Sequence, residues 1–203
     1  MKKLISLLLV VVILTALVGC SGLAPKGKEV SRGTKAGNLY KNEFIGIEFT
    51  KPSGWTYYTD EQIADLMNIA AENLLDDKLK DALENTPSIY DMMVTDASTG
   101  TNIIVSDENL KKTFSATISM EKYIEALKNQ LSEVENMTVT FPKEPETVKL
   151  GEVEFTKLEC RTQAYGTTMT QVYYLRKESG YMIAIIATLR SGYTIEQIEG
   201  MFG

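Results

Sequence analysis

The side chains able to do chemistry here are few. Cys20 and Cys160 are the two cysteines, and Asp91, Asp96, Asp107 and Glu108 are acids close together in sequence. Trp55, Tyr57 and Tyr58 form a short aromatic run, with Tyr165 standing apart. The sequence has no histidine. That removes the usual general base, the Ser-His and Cys-His nucleophile pairs and the commonest transition-metal ligand. Chemistry would fall to carboxylates, lysine or tyrosine. A hard cation such as Ca²⁺ suits the four acids. However, Asp96-Ala97-Ser98-Thr99-Gly100 lacks the alternating carboxylates of a calcium loop, so they read as solvated turn acids. The methionines, Met92-Met93 included, show no copper-site spacing and read as core filling. No catalytic set, metal site or cofactor is expected. Trp55, Tyr57, Tyr58 and Tyr165 remain as contact candidates for a ligand or partner. The first three also suit packing beneath a helix, and Tyr165 sits at a hairpin tip. Cys160, in phase with Leu158 and flanked by Glu159 and Arg161, reads as an inward core residue, with a reactive thiol as the alternative.

Cys20 has a different context. Met1-Lys2-Lys3 is basic, and the run from Leu4 to Val18 is apolar apart from Ser6 and Thr15. At about 15 residues it is short for a bilayer span, which takes about 20. Its flanks fit a cleaved signal segment. Leu17-Val18-Gly19-Cys20 resembles the lipobox of bacterial lipoproteins. That resemblance implies cleavage before Cys20 and a diacylglyceryl thioether on its sulfur. Two acyl chains hold a protein stably on a membrane where one does not. The expected organisation is a signal peptide over 1–19, a lipidated, flexible tether over 20–38 and one globular domain over 39–203. The expected location is the extracytoplasmic face of the cell membrane, or the outer membrane in a cell with two.

Charge follows the same division. Residues 21–38 carry four basic side chains against one acid, whereas from Leu39 onward 15 basic residues face 26 acidic ones. So acidic a domain repels phosphate backbones, which argues against nucleic-acid partners. The glycine-rich tether would reach roughly 20–25 Å as a flexible chain. With Cys20 lipidated, no disulfide can close within the chain. Apolar burial must then stabilise the fold.

The elements that must position these residues follow from periodicity. Tyr40, Phe44, Ile47 and Phe49 predict a short hairpin turning at Gly46. Thr59-Asp60-Glu61-Gln62 is a capping box. Ile63, Leu66, Met67, Ala70 and Leu74, then Leu75, Leu79 and Leu83, carry a helical pattern on to Pro87. A hairpin follows over 89–105, turning at 96–101. Ser119 caps a helix to about Glu135, with Tyr123, Ile124, Leu127, Leu131 and Val134 as its stripe. After a short strand at Val139 and Phe141, 153–162, 168–176 and 181–189 form a meander. Its last strand is apolar on both faces and so belongs mid-sheet. Thr194 to Gln197 opens a short closing helix. The fold class is α+β: an antiparallel sheet of about six or seven strands, with helices on both faces as an α/β/α sandwich.

The stretch Asn42 to Trp55, NEFIGIEFTKPSGW, the two β sections separated by a helix, and the closing YMIAIIAT before a short helix resemble the PsbP-like superfamily. This group takes in the PsbP, Mog and DcrB proteins. The resemblance covers roughly Leu39 to Phe202 and implies the same sandwich. It also implies an accessory or binding role, with no catalytic residue to carry over. The resulting expectation is a membrane-anchored, non-catalytic module serving another envelope protein. The alternatives are a small-ligand-binding lipoprotein linked to transport and, more remotely, a carboxylate-dependent hydrolase.

Overall fold

The strand that is apolar on both faces does lie mid-sheet, and the rest of the domain is arranged around it. The computed structural model describes residues 28–164, 166–190 and 192–203. In chain order the strands are β1 (Thr34–Ala36), β2 (Leu39–Asn42), β3 (Ile47–Thr50), β4 (Trp55–Tyr57), β5 (Ser88–Asp96), β6 (Asn102–Asn109), β7 (Thr138–Thr140), β8 (Glu146–Leu150), β9 (Val153–Ala164), β10 (Thr167–Glu178) and β11 (Tyr181–Leu189). The helices are α1 (Asp60–Met67), α2 (Asp76–Asn85), α3 (Leu110–Thr113), α4 (Met120–Ser132) and α5 (Ile195–Glu199). The main sheet has eight strands in the order β4-β5-β6-β11-β10-β9-β7, with β8 also on β9. Its strands pair antiparallel throughout the described residues. The fold is α+β, as expected.

Cross-strand register sorts the side chains onto two faces. Asp107 stands opposite Ile183, and Glu108 opposite Met182. Adjacent residues of a strand point to opposite faces. The Glu108 face is covered by α4: Tyr123 donates a hydrogen bond to Glu108 Oε2 at 2.5 Å. Ser119 caps this helix through the Lys122 amide, and Tyr123, Ile124, Leu127 and Leu131 are buried. Each such side chain contributes about 1.5–3 kcal/mol of burial. The Asp107 face meets Tyr40 of β2, and α5 lies on it through Tyr174 and Glu199, 3.1 Å apart. Arg32 closes over the same side, donating to the Leu74 carbonyl ahead of α2 at 2.7 Å.

Three expectations need correction. The sheet has eight strands rather than about six or seven, because β8 pairs with β9 over Glu146–Leu150, where the sequence pattern assigns no strand. The helical pattern after Thr59 does not run unbroken. The capping box forms, but α1 ends at Asn68, which takes a left-handed φ of 54°. A 3-10 turn over Ala71–Leu74 then leads into α2, and this leaves Leu66 and Leu75 exposed.

The third correction concerns the tether. Residues 28–38 belong to the domain. β1 pairs with β2 to begin a separate three-stranded sheet with β3, and Val30 and Arg32 are buried. The polar composition of this segment hides a strand whose hydrogen bonds and one buried cation hold it down.

Candidate ligand-binding cleft

The meander ends in an open, polar cleft. Arg161 of β9, Thr170 of β10 and Leu189 of β11 stand in one cross-strand row. Two strand spacings put about 10 Å between the outer members of that row. Beyond it Arg190 leaves the sheet, its amide held by Thr101 Oγ1 at 3.1 Å. The hairpin loop between β5 and β6 contributes Thr99, and Tyr193 closes the remaining side. The cleft encloses about 570 Å³.

Its far wall is rigid for an identifiable reason. Trp55 Nε1 donates to the Tyr193 hydroxyl at 2.7 Å, and that hydroxyl donates to Asp96 Oδ2 at 3.0 Å. The two rings meet edge to face, 5.3 Å between centroids. Asp96 also accepts from the Ser98 hydroxyl and amide at 2.6 and 2.8 Å and from Thr99 at 3.1 Å. The Ser98 hydrogen bonds lead in holding its carboxyl down at about 2. The tripeptide Asp96-Ala97-Ser98 is therefore a braced turn that fixes Thr99 on the cleft rim.

Electrostatically the cleft is local relief in an acidic domain. Its one carboxylate, Glu159, is buried and paired with Lys143 Nζ at 2.8 Å. Arg161 and Arg190 make no side-chain hydrogen bond or ion pair with any described residue. Two guanidinium groups thus face the opening beside threonine hydroxyls. Arginine presents a planar fork of donors that matches carboxylate and phosphate.

Most of the residues singled out from sequence lie elsewhere. Trp55 is 3 % exposed, so it braces the cleft from behind and cannot serve as a surface contact. Its indole N–H found a partner 138 residues away. Tyr57 is half-buried, donates to the Asn38 carbonyl at 3.0 Å and lies under Lys51; burial pushes its hydroxyl up to about 12. Tyr58 is half-buried, and its carbonyl accepts from Lys35. Cys20 and Tyr165 lie outside the described residues. Cys160 is buried, 3.6 Å from the Thr162 hydroxyl, and burial pushes its thiol up. Its neighbour Glu159 does not point to solvent as the flanking pattern implied, because this face of β9 is covered as well.

The four acids are not solvated turn acids. Each is buried, and they go to different places. Asp96 braces its turn and Glu108 meets α4, while Asp91 and Asp107 share the face below the three-stranded sheet. Asp91 is the extra residue of a bulge where the β5–β6 register shifts between Tyr90 and Met92. Its carboxylate accepts from Arg32 Nε at 3.1 Å, from the Gly33 amide at 2.9 Å, from Asn42 Nδ2 at 2.8 Å and from the Tyr40 hydroxyl. Among the described residues no group of three or more histidine, cysteine or acidic side chains is placed to hold a metal ion. No helix among them is long and apolar enough to cross a membrane.

The cleft residues were not singled out from sequence. Arg161, Thr99 and the Arg190–Tyr193 stretch lie on three separate segments, and only the folded sheet brings them together. The alternating polar residues of β9 and β10 were the available signal.

No family model matches the chain, and no curated protein matches it. Among solved structures, a protein from Bacteroides thetaiotaomicron VPI-5482 is similar, with 12 % identity and a TM-score of 0.38. The match covers 77 % of this chain and 44 % of that one, so this chain spans less than half the length of that structure. A likeness at that level carries no functional argument.

Proposed function

We propose that the protein is a lipid-anchored, extracytoplasmic binding module without catalytic activity, serving another envelope protein. The observation that supports it is the placement of attachment and cleft at opposite ends of one strand. At the start of β11, Tyr181 meets Phe44 edge to face, and Lys28 holds the neighbouring Glu43 carbonyl at 3.2 Å. The cleft lies past Leu189, at the other end of β11. Nine residues of strand span about 27 Å.

An anchor at Cys20 leads into the fold eight residues later, and a chain of that length reaches at most about 28 Å. In this reading the attachment end of the domain stays near the headgroups and the cleft faces outward. The leader and lipobox pattern supply the anchor. The order of elements supports placing the domain with the PsbP-like proteins, whose roles are accessory.

The buried acids favour a non-catalytic role over a carboxylate-dependent hydrolase. Such an enzyme needs two acids facing one cleft. Asp91 and Asp107 are neighbours, but both are fully buried beneath the three-stranded sheet, where no substrate reaches them.

In-cell crosslinking of the tagged full chain tests the reading, with Cys20→Ser as the unanchored control. One reproducible envelope protein, lost in the control, is the expected result. An anchored, abundant chain that captures no envelope protein would count against it. A second reading, small-ligand binding, is favoured by the cleft itself, whose volume falls within the range of small-molecule sites.

A further inference from the structure

Three features of the cleft bear on what it takes in. It holds two arginines that no described residue neutralises. It is lined by several hydroxyl-bearing residues, Thr99, Thr168 and Thr170. It lies in a domain whose residues from Leu39 onward are strongly acidic. The arginines select an anion that fits a planar donor fork. The hydroxyls both donate and accept, which suits a ligand that carries hydroxyls of its own. The surrounding negative field acts over about 8–10 Å at physiological salt, so it repels an extended polyanion. A compact ligand with one anionic group feels the arginines first.

We propose that this cleft binds a small sugar-like anion, its carboxylate or phosphate gripped by Arg161 and Arg190 and its hydroxyls met by Thr99, Thr168 and Thr170. The site rests on the small-ligand reading above. Its scaffold is pre-formed. Arg161 rises from the paired β9 strand, the Arg190 amide is pinned by Thr101, and Thr99 is fixed by the braced Asp96 turn. The backbone that carries these side chains is held before the ligand enters, so the ordering left to do is that of the side chains themselves.

The test is isothermal titration calorimetry on the full chain in detergent micelles. Glucuronate and glucose 6-phosphate are the probes, with glucose, acetate and inorganic phosphate as controls. Saturable binding of at least one sugar acid, tighter than that of glucose or the bare anions, is expected. The carboxylate and phosphate arms distinguish which anion the arginines hold. Arg161→Ala and Arg190→Ala should each weaken binding by about tenfold or more, in line with loss of a charge-assisted bidentate contact. Arg161→Lys keeps the charge, loses the fork and should fall between. Lys112→Ala, an exposed cation on α3 away from the cleft, should leave binding unchanged and controls for bulk charge.

Circular dichroism establishes that each variant is folded before titration. No saturable binding of either sugar acid, or equal loss in the Lys112 variant, would overturn the inference. So would inorganic phosphate binding as tightly as glucose 6-phosphate. If a chain carrying both Arg161→Ala and Arg190→Ala still captures the same envelope protein in cells while neither sugar acid binds the wild type, the partner reading survives and this one fails.

Discussion

Asp91 and Asp107 lie on adjacent strands in the same dry layer, yet their hydrogen bonding is opposite. Four donor groups converge on the Asp91 carboxylate, whereas neither oxygen of Asp107 has a partner among the described residues. Burial, together with the charge on Asp91, pushes the Asp107 carboxyl well above the usual carboxylate range. The two carboxyls differ in the donors that reach them, and burial is the larger cause of the upward shift at Asp107.

Asp107 makes stability fall as pH rises. In the unfolded chain Asp107 ionises near 3.9. In the folded protein it keeps its proton to higher pH, so above about 4 the native state binds more protons than the unfolded state. Stability therefore declines from there up to the raised folded value. Glu108, pushed up by burial against α4, adds a slope of the same sign. Asp107→Asn should raise the melting temperature at pH 7–8 and flatten the profile measured from pH 4 to 8, leaving the Glu108 share. Parallel profiles for wild type and variant would refute the assignment.

Arg32 fastens the first described residues to the core. It spans Asp91, the Leu74 carbonyl and Asp60, the last also held by Lys35 at 3.0 Å. Arg32→Ala strands a buried carboxylate and should cost about 3–5 kcal/mol, read from urea unfolding. Adding Asp91→Asn should recover part of that loss, since the charge no longer needs a partner. A loss under about 1 kcal/mol in the single variant would mean that residues 28–36 are not integral to the domain.

The brace behind the cleft can be followed through Trp55, the one tryptophan in the chain. Tyr193→Phe keeps the ring and removes the hydroxyl that accepts from Trp55 and donates to Asp96. It should cost about 1–3 kcal/mol, because the buried indole N–H is left without an acceptor. The midpoint of denaturation, followed by Trp55 fluorescence, measures it.

Cys160 should be silent in the native protein. It is fully buried and its thiol is pushed up, so the reactive thiolate is both scarce and inaccessible. In a Cys20→Ser background, a thiol-specific reagent should label one site per chain in denaturant and essentially none in native buffer. Rapid native labelling would show that the core between β9 and α4 opens readily.

Much of the architecture was readable in local pattern, because local pattern has local causes. The capping boxes at Thr59–Gln62 and Thr194–Gln197 both form, each through a hydroxyl and an amide three residues apart. The β5–β6 hairpin turns through Asp96 to Thr101, and the two-sided apolar strand β11 sits at the middle of the sheet. In all three cases the deciding interactions lie within a few residues, or depend only on the two-residue alternation of a strand.

What only tertiary structure decided are the pairings of polar groups across long separations. Arg32 reads as a tether charge until Asp91, 59 residues on, supplies its partner. Asp107 and Glu108 read as solvated until two layers close over the sheet. Trp55 reads as a contact residue until Tyr193 receives its N–H. A charged or hydroxylated side chain is equally at home in water or with a buried partner, so its type alone does not say which. The desolvation that makes the difference exists only once the layers have packed. The cleft has the same origin: Arg161 and Arg190 become neighbours through strand register, which no single segment encodes.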